Sequence, residues 1–226
     1  IIMQLKEWDF VREKSDKLLA TPVGKRVAQL YLDPLTGRQF VEFVEKHSKK
    51  PLGGKNTGAA FQLLFELSRA LESRPLPTVS RKEEKDLWEE LYSLMDDFAD
   101  EPRALEQFKN AKIANAWVNE ETEEKVLEDF NLPPGILHAR MRNLEWLSYS
   151  LGELAYLLGA TSVKQECRKL EKRVKYGVKE ELLDLVSIRG IGRVRARKLV
   201  SSGITTSEQF NALSKDEVKK ILGVIV

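Results

Sequence analysis

The 226-residue chain is 42% apolar and 32% charged, long enough for one large or two to three small domains and too hydrophobic to stay unfolded. A single cysteine, Cys167, excludes an internal disulfide framework, and the two histidines, His47 and His138, are too widely separated to build a Cys/His metal site. The net charge of +2 conceals a segregation: residues 81–130 carry 7 Lys/Arg against 16 Asp/Glu, and residues 163–198 carry 12 against 5.

A basic stretch of that density attracts polyanions, and an acidic one beside it repels them and orients a bound strand; the plainer reading makes both of them solvated helix faces. No run of about 18 apolar residues and no basic-then-apolar leader is present, so a soluble, intracellular protein without membrane contact is expected. The opening Ile1-Ile2-Met3 and the closing Val224-Ile225-Val226 read as the ends of a piece of a longer protein.

Loose alternation over residues 5–19, around the polar turn Glu13-Lys14-Ser15-Asp16, predicts a β-hairpin. Thr21-Pro22 then supplies a cap and a first helical residue for a helix that ends before Asp33-Pro34. This order predicts the trailing part of a winged-helix domain at residues 1–34. Helical periodicity follows, with helices predicted at 37–46, 58–71, 81–99, 104–117, 121–129, 135–158 and 162–174, separated by Pro and Gly punctuation. They make a helical domain of residues 35–175. Tyr176-Gly177 interrupts the pattern and opens a last helical unit, 176–226, in which residues 205–208 and 214–217 read as capping boxes. The expected class is mainly α with one short β-hairpin.

Within that last unit, Ile188-Arg189-Gly190-Ile191-Gly192 joins a helix ending at Val186 to one beginning at Arg193, with Ala196 and Leu199 in register. The spacing resembles a helix-hairpin-helix element. Glycines reach angles closed to other residues, so the turn can present free N–H groups at a helix N-terminus, where the dipole also favours phosphate. Ile191 would anchor the turn, while Arg193, Arg195, Arg197 and Lys198 would reach neighbouring phosphates. Such contacts position a nucleic acid without reading its sequence. The same hairpin also suits protein docking.

The helix at 135–158 carries an apolar stripe of Leu137, Met141, Leu144, Leu147, Leu151, Leu154 and Leu158. Trp146 lies about 160° from that stripe, beside Arg142 one turn earlier. An indole and a guanidinium so placed suit a base and its adjacent phosphate; the alternative is a helix buried on both sides, with Trp146 against a second layer. Other features carry less. "GGKNTG" at 53–58 lacks the first glycine, the Ser/Thr and the preceding strand of a phosphate loop, Asp216 belongs to a capping box, and the pairs Asp96-Asp97 and Glu120-Glu121 point to different helix faces. No residue here is assigned to catalysis or to a metal.

Four stretches, "TPVGKRVAQLYLDPLTG" (21–37), "AWVNEETEEKVLEDFNLPPGIL" (116–137), "LEWLSYSLGELAYLLG" (144–159) and "YGVKEELLDLVSIRGIGRVRARKL" (176–199), together resemble the C-terminal third of the archaeal Hjm-type DNA helicases. These are superfamily-two motors related to the Ski-type RNA helicases and to the helicase half of DNA polymerase theta. The resemblance implies a winged-helix remnant, a helical ratchet domain and a helix-hairpin-helix tail. It further implies an ATP-dependent 3′-to-5′ helicase acting on stalled or branched forks in repair and recombination, and a monomer. ATP and magnesium would bind in motor domains of the same polypeptide, so this chain would bind single-stranded or branched DNA with no cofactor and no catalysis of its own. Trp146 would stack on the translocating strand. The arginine that often precedes that tryptophan by two turns is Ala139 here, with Arg140 and Arg142 nearby. Arg195-Ala196-Arg197 resembles the tail's signature for gripping the emerging strand and restraining the motor. The equivalent module of an RNA-processing helicase, or a protein-interaction scaffold, are the alternatives.

Overall fold

The computed structural model describes residues 1–54, 56–95 and 102–223. Among these the chain forms twelve α-helices and one two-stranded antiparallel sheet, a mainly α fold with a small hairpin.

The first turn departs from the expected hairpin, because residues Ile2–Glu7 form helix α1. Leu5 and Trp8 stand three apart, the spacing of one helix face and not of one strand face, and both pack against the main core. Strands β1 (Val11–Lys14) and β2 (Lys17–Ala20) pair with Val11 opposite Ala20 and Lys14 opposite Lys17. Ser15 and Asp16 join them with φ of 50° and 57°, the left-handed pair that lets a two-residue loop follow the strands' twist.

Helix α2 (Pro22–Gln29) starts as its signals require, the Thr21 hydroxyl accepting the Gly24 amide at 3.1 Å. Helix α3 (Pro34–His47) starts three residues earlier than periodicity indicates. The Asp33 carboxylate accepts the Leu35 amide at 2.8 Å and Pro34 takes the first helical position, so a dipeptide that stops one helix also caps the next.

The bundle continues with α4 (Ala59–Arg69), α5 (Glu84–Met95), α6 (Ala104–Val118), α7 (Glu123–Phe130), α8 (Pro134–Leu157) and α9 (Thr161–Tyr176). The expected extension of α5 over 96–99 falls outside the described residues, as do Asp96 and Asp97. Helix α8 is the spine, touching α2, α3, α4, α7 and α9. Its stripe from Leu137 through Leu154 is buried, and each such leucine contributes about 1.5–3 kcal/mol. Phe10, Val27, Leu30 and Leu32 share this core with Phe40, Phe65 and Phe108, so the segments flanking the hairpin are fixed to the bundle while its strands stay largely exposed. In the region of the GGKNTG stretch the Gly54 amide donates to the Thr57 carbonyl at 2.8 Å.

A second core of Val178, Leu182, Leu185, Val186, Ile191, Ala196, Leu199, Val218 and Leu222 holds the C-terminal unit. The helix expected before the glycine turn is instead two 3₁₀ turns, Glu180–Leu182 and Leu185–Ser187, a tighter winding that buries Leu182, Leu185 and Val186 in a short span. Helices α10 (Arg193–Ser201), α11 (Ser207–Asn211) and α12 (Lys215–Leu222) follow. Their capping boxes pair Thr206 with Gln209, one residue later than the Thr205-Glu208 spacing indicated, and Ser214 with Glu217. Asp216 lies in the first turn of α12.

Candidate nucleic-acid interface

Helix geometry separates the two arginines flanking the start of the Trp146 face. Arg142 precedes Trp146 by four residues, about 40° around the axis, and is exposed with no ion pair or side-chain hydrogen bond among the described residues. Arg140 lies about 120° away and turns into the bundle, where Nη1 donates to Asn110 Oδ1 at 3.1 Å and Nε is buried without a partner. Burial lowers the pKa of Arg140. Trp146 itself is half-buried: one side packs against the edge of the main core, and Tyr149 beside it is 43% exposed. The indole is neither sealed inside nor fully free.

The glycine turn divides its two glycines by role. Gly190 has φ 85°, a conformation that favours glycine, whereas Gly192 is extended (φ −102°) and a Cβ built there would meet nothing within 4 Å. Gly192 is the N-cap of α10, and no side chain caps the helix's first amides. The Ile191 amide is spent internally, donating to the Ile188 carbonyl at 3.1 Å, while the Ile191 side chain is buried. The amides available to an anion are therefore those at the start of α10.

The cations of α10 are divided as well. Arg195 Nη1 donates to the Gly190 carbonyl at 2.6 Å and braces the turn, and Lys198 is exposed. Arg193 and Arg197 instead face the bundle. Arg193 Nη2 donates to the Glu121 carbonyl at 2.8 Å with its guanidinium 5.3 Å from the Trp117 ring centroid. Arg197 donates to both Glu120 oxygens, at 2.8 and 2.5 Å, and to Glu181 Oε1 at 3.0 Å. Of the four basic side chains expected to reach phosphates, two are occupied by the end of the acidic segment. The segregation of charge along the chain thus becomes pairing in space. A groove of about 970 Å³ at this junction is lined by Glu120, Glu123 and Glu124 together with Arg193, Arg197 and Lys198, so charges of both signs meet there.

Sequence reasoning missed what rigidifies this junction. Trp117 Nε1 donates to the Val174 carbonyl at 2.7 Å, and the indole lies against Gly177, whose φ is 63°. Arg173 donates to the Val118 and Val178 carbonyls, both at 3.2 Å. The signal was present: a glycine directly after a basic last turn is the common left-handed helix terminator.

Burial works against the charge of Glu120, yet the Arg197 side chain and the Lys179 amide hold its carboxyl below the usual glutamate range. A depressed carboxylate stabilises the fold fully above its unfolded pKa of about 4.3 and loses that contribution as pH falls through the lower folded value. Protection of the C-terminal unit against hydrogen exchange, taken relative to the intrinsic rate at each pH, is accordingly expected to fall below about pH 4, more than that of the bundle core, and Glu120→Gln should remove much of the difference.

Residues 62–177 match the family described as archaeal helicase, domain 4. The chain is similar to the ATP-dependent DNA helicase Hel308 of Methanocaldococcus jannaschii, 36% identical over 93% of this chain and 16% of that protein. It is likewise similar to Hel308 of Pyrococcus abyssi, 34% identical over 99% of this chain and 31% of that protein, and of Methanococcus vannielii, 37% identical over 81% and 25%. The chain thus spans less than a third of the length of these curated relatives. With more than half of its residues inside that match, the chain belongs to the archaeal helicase domain 4 family.

Proposed function

We propose that this chain is the single-strand-gripping C-terminal region of an ATP-dependent 3′-to-5′ DNA helicase acting at stalled or branched replication forks in repair and recombination. In this reading residues 1–34 are the trailing part of a winged-helix domain, 35–175 the ratchet and 176–226 the helix-hairpin-helix domain. ATP and magnesium are handled by motor domains elsewhere in the same polypeptide, and the protein works as a monomer. The observation that carries the reading is the placement of Trp146 one turn after Arg142, which is exposed and has no ion pair or side-chain hydrogen bond among the described residues, on the face of α8 opposite its packing stripe. A base stacks on the indole while the guanidinium holds the adjacent phosphate. Farther along the strand, the uncapped amides of α10 receive a phosphate beside Arg195 and Lys198. None of these contacts reads a base edge, so the grip is independent of sequence.

The test is a titration of labelled single-stranded DNA, duplex DNA and single-stranded RNA across salt. Single-strand binding should weaken linearly in log salt, with a slope of about −0.7 per phosphate neutralised. Flat titrations at low salt would sink the reading, and preference for RNA over DNA would move it to an RNA-processing relative. Gly192→Ser serves as a variant in the same assay. Its side chain has open space and an ordinary φ, and its hydroxyl caps the α10 amides, so melting should stay the same or rise by a few tenths of a kcal/mol while strand affinity drops.

A further inference from the structure

At the N-terminal end of α8 a cleft of about 280 Å³ opens between that helix and the segment after α4. Two arginines line it. Arg140 lines it half-buried, with the neutral Asn110 amide as its hydrogen-bond partner and its Nε unpaired. Asn110 Nδ2 in turn donates to Ser68 Oγ at 3.0 Å, so no carboxylate enters that chain of contacts. Arg74 lines the opposite wall, exposed, and among the described residues its side chain has no hydrogen bond or ion pair. Glu72 lines the cleft as well, its carboxylate engaged on both oxygens, accepting the Asp33 amide at 2.7 Å and the Thr36 hydroxyl at 2.6 Å. Asn143 ties helix to loop by donating to the Glu72 carbonyl at 2.6 Å.

A guanidinium withdrawn from water without a counter-charge is costly, and an anion entering the cleft offsets that cost. The apolar part of the lining fits what accompanies a phosphate in a nucleic acid. Pro75 and Ile136 line it too, with Ile136 48% exposed, and Ala139 contributes only a methyl group. Ala139 and Trp146 are seven residues apart, which puts them within about 20° of one face and about 10 Å apart along the axis.

Building on the strand-gripping reading of α8, we propose that this cleft is a phosphodiester subsite. Arg74 and Arg140 hold a second backbone phosphate of the strand, beyond the one at Arg142, and Pro75 and Ile136 receive its sugar. Arg74 is the informative position, since it is exposed and its replacement leaves the core intact.

The experiment measures anisotropy of labelled oligothymidylate with the 226-residue chain over a range of salt, for wild type, Arg74→Ala, Arg74→Lys and Trp146→Ala, with a thermal melt of each. Arg74→Ala is expected to melt as wild type, to bind about tenfold more weakly at low salt, and to flatten the log–log salt slope by about 0.7, one phosphate contact on a single strand. Arg74→Lys should restore the slope. If Trp146→Ala weakens binding while Arg74→Ala keeps wild-type affinity and slope, the subsite is wrong and the grip on α8 stands. If wild type itself does not bind at low salt, both fall together.

Discussion

Trp146→Ala is expected to weaken single-strand binding by about 5- to 150-fold with little change in salt slope, because base stacking on an aromatic ring contributes about 1–3 kcal/mol and neutralises no phosphate. Trp146→Phe should recover much of the loss. The indole also packs against the edge of the main core, so alanine lowers thermal stability as well. The two effects separate cleanly: affinity is measured well below the melting transition, and a lost packing contact alone leaves the affinity of the folded protein unchanged. A variant that melts earlier but binds as tightly as wild type would remove the indole from the interface. A flattened slope would point to rearrangement of the neighbouring Arg142 instead.

The largest stability effect is expected at Gly177. Alanine there must hold φ near 63°, which costs about 1–2 kcal/mol, and its Cβ would come 2.6 Å from Trp117 Cε2, an overpacking worth about 1–3 kcal/mol more. The total of about 2–5 kcal/mol falls on the junction, because the Trp117 indole donates to the Val174 carbonyl just before the turn. If the indole shifts, the Arg193 guanidinium above it and the Arg197 pairing with Glu120 shift with it. Gly177→Ala should therefore melt the C-terminal unit ahead of the bundle, seen as a separate early calorimetric transition and as faster hydrogen exchange confined to residues after 177. A single transition at the wild-type temperature would show that the junction does not depend on this contact.

Local chemistry was legible in the chain itself. Thr21-Pro22, Ser214 with Glu217, the α8 leucine stripe and the glycine turn all act within a few residues, and each forms where its residues indicate. Helix ends were less legible where one dipeptide serves two roles, as Asp33-Pro34 does, and where a helix is too short to repeat its period, as Ile2–Glu7 is. The placement of Arg142 rather than Arg140 beside Trp146 follows from 3.6 residues per turn, and the structure has the same division.

Sequence by itself determined the mainly α class, the buried apolar stripe of α8 and the start of α10 at the glycine turn, because periodicity, caps and glycine angles are local properties. Only the tertiary structure decided which cations remain available. Arg193 and Arg197 look equivalent to Arg195 and Lys198 along the chain, yet the first pair meets Glu120, Glu121 and Trp117 across more than 70 residues. Arg74 and Arg140, 66 positions apart, share one cleft for the same reason. The net effect of a charge depends on the groups within a few ångströms of it, and packing alone sets those neighbours.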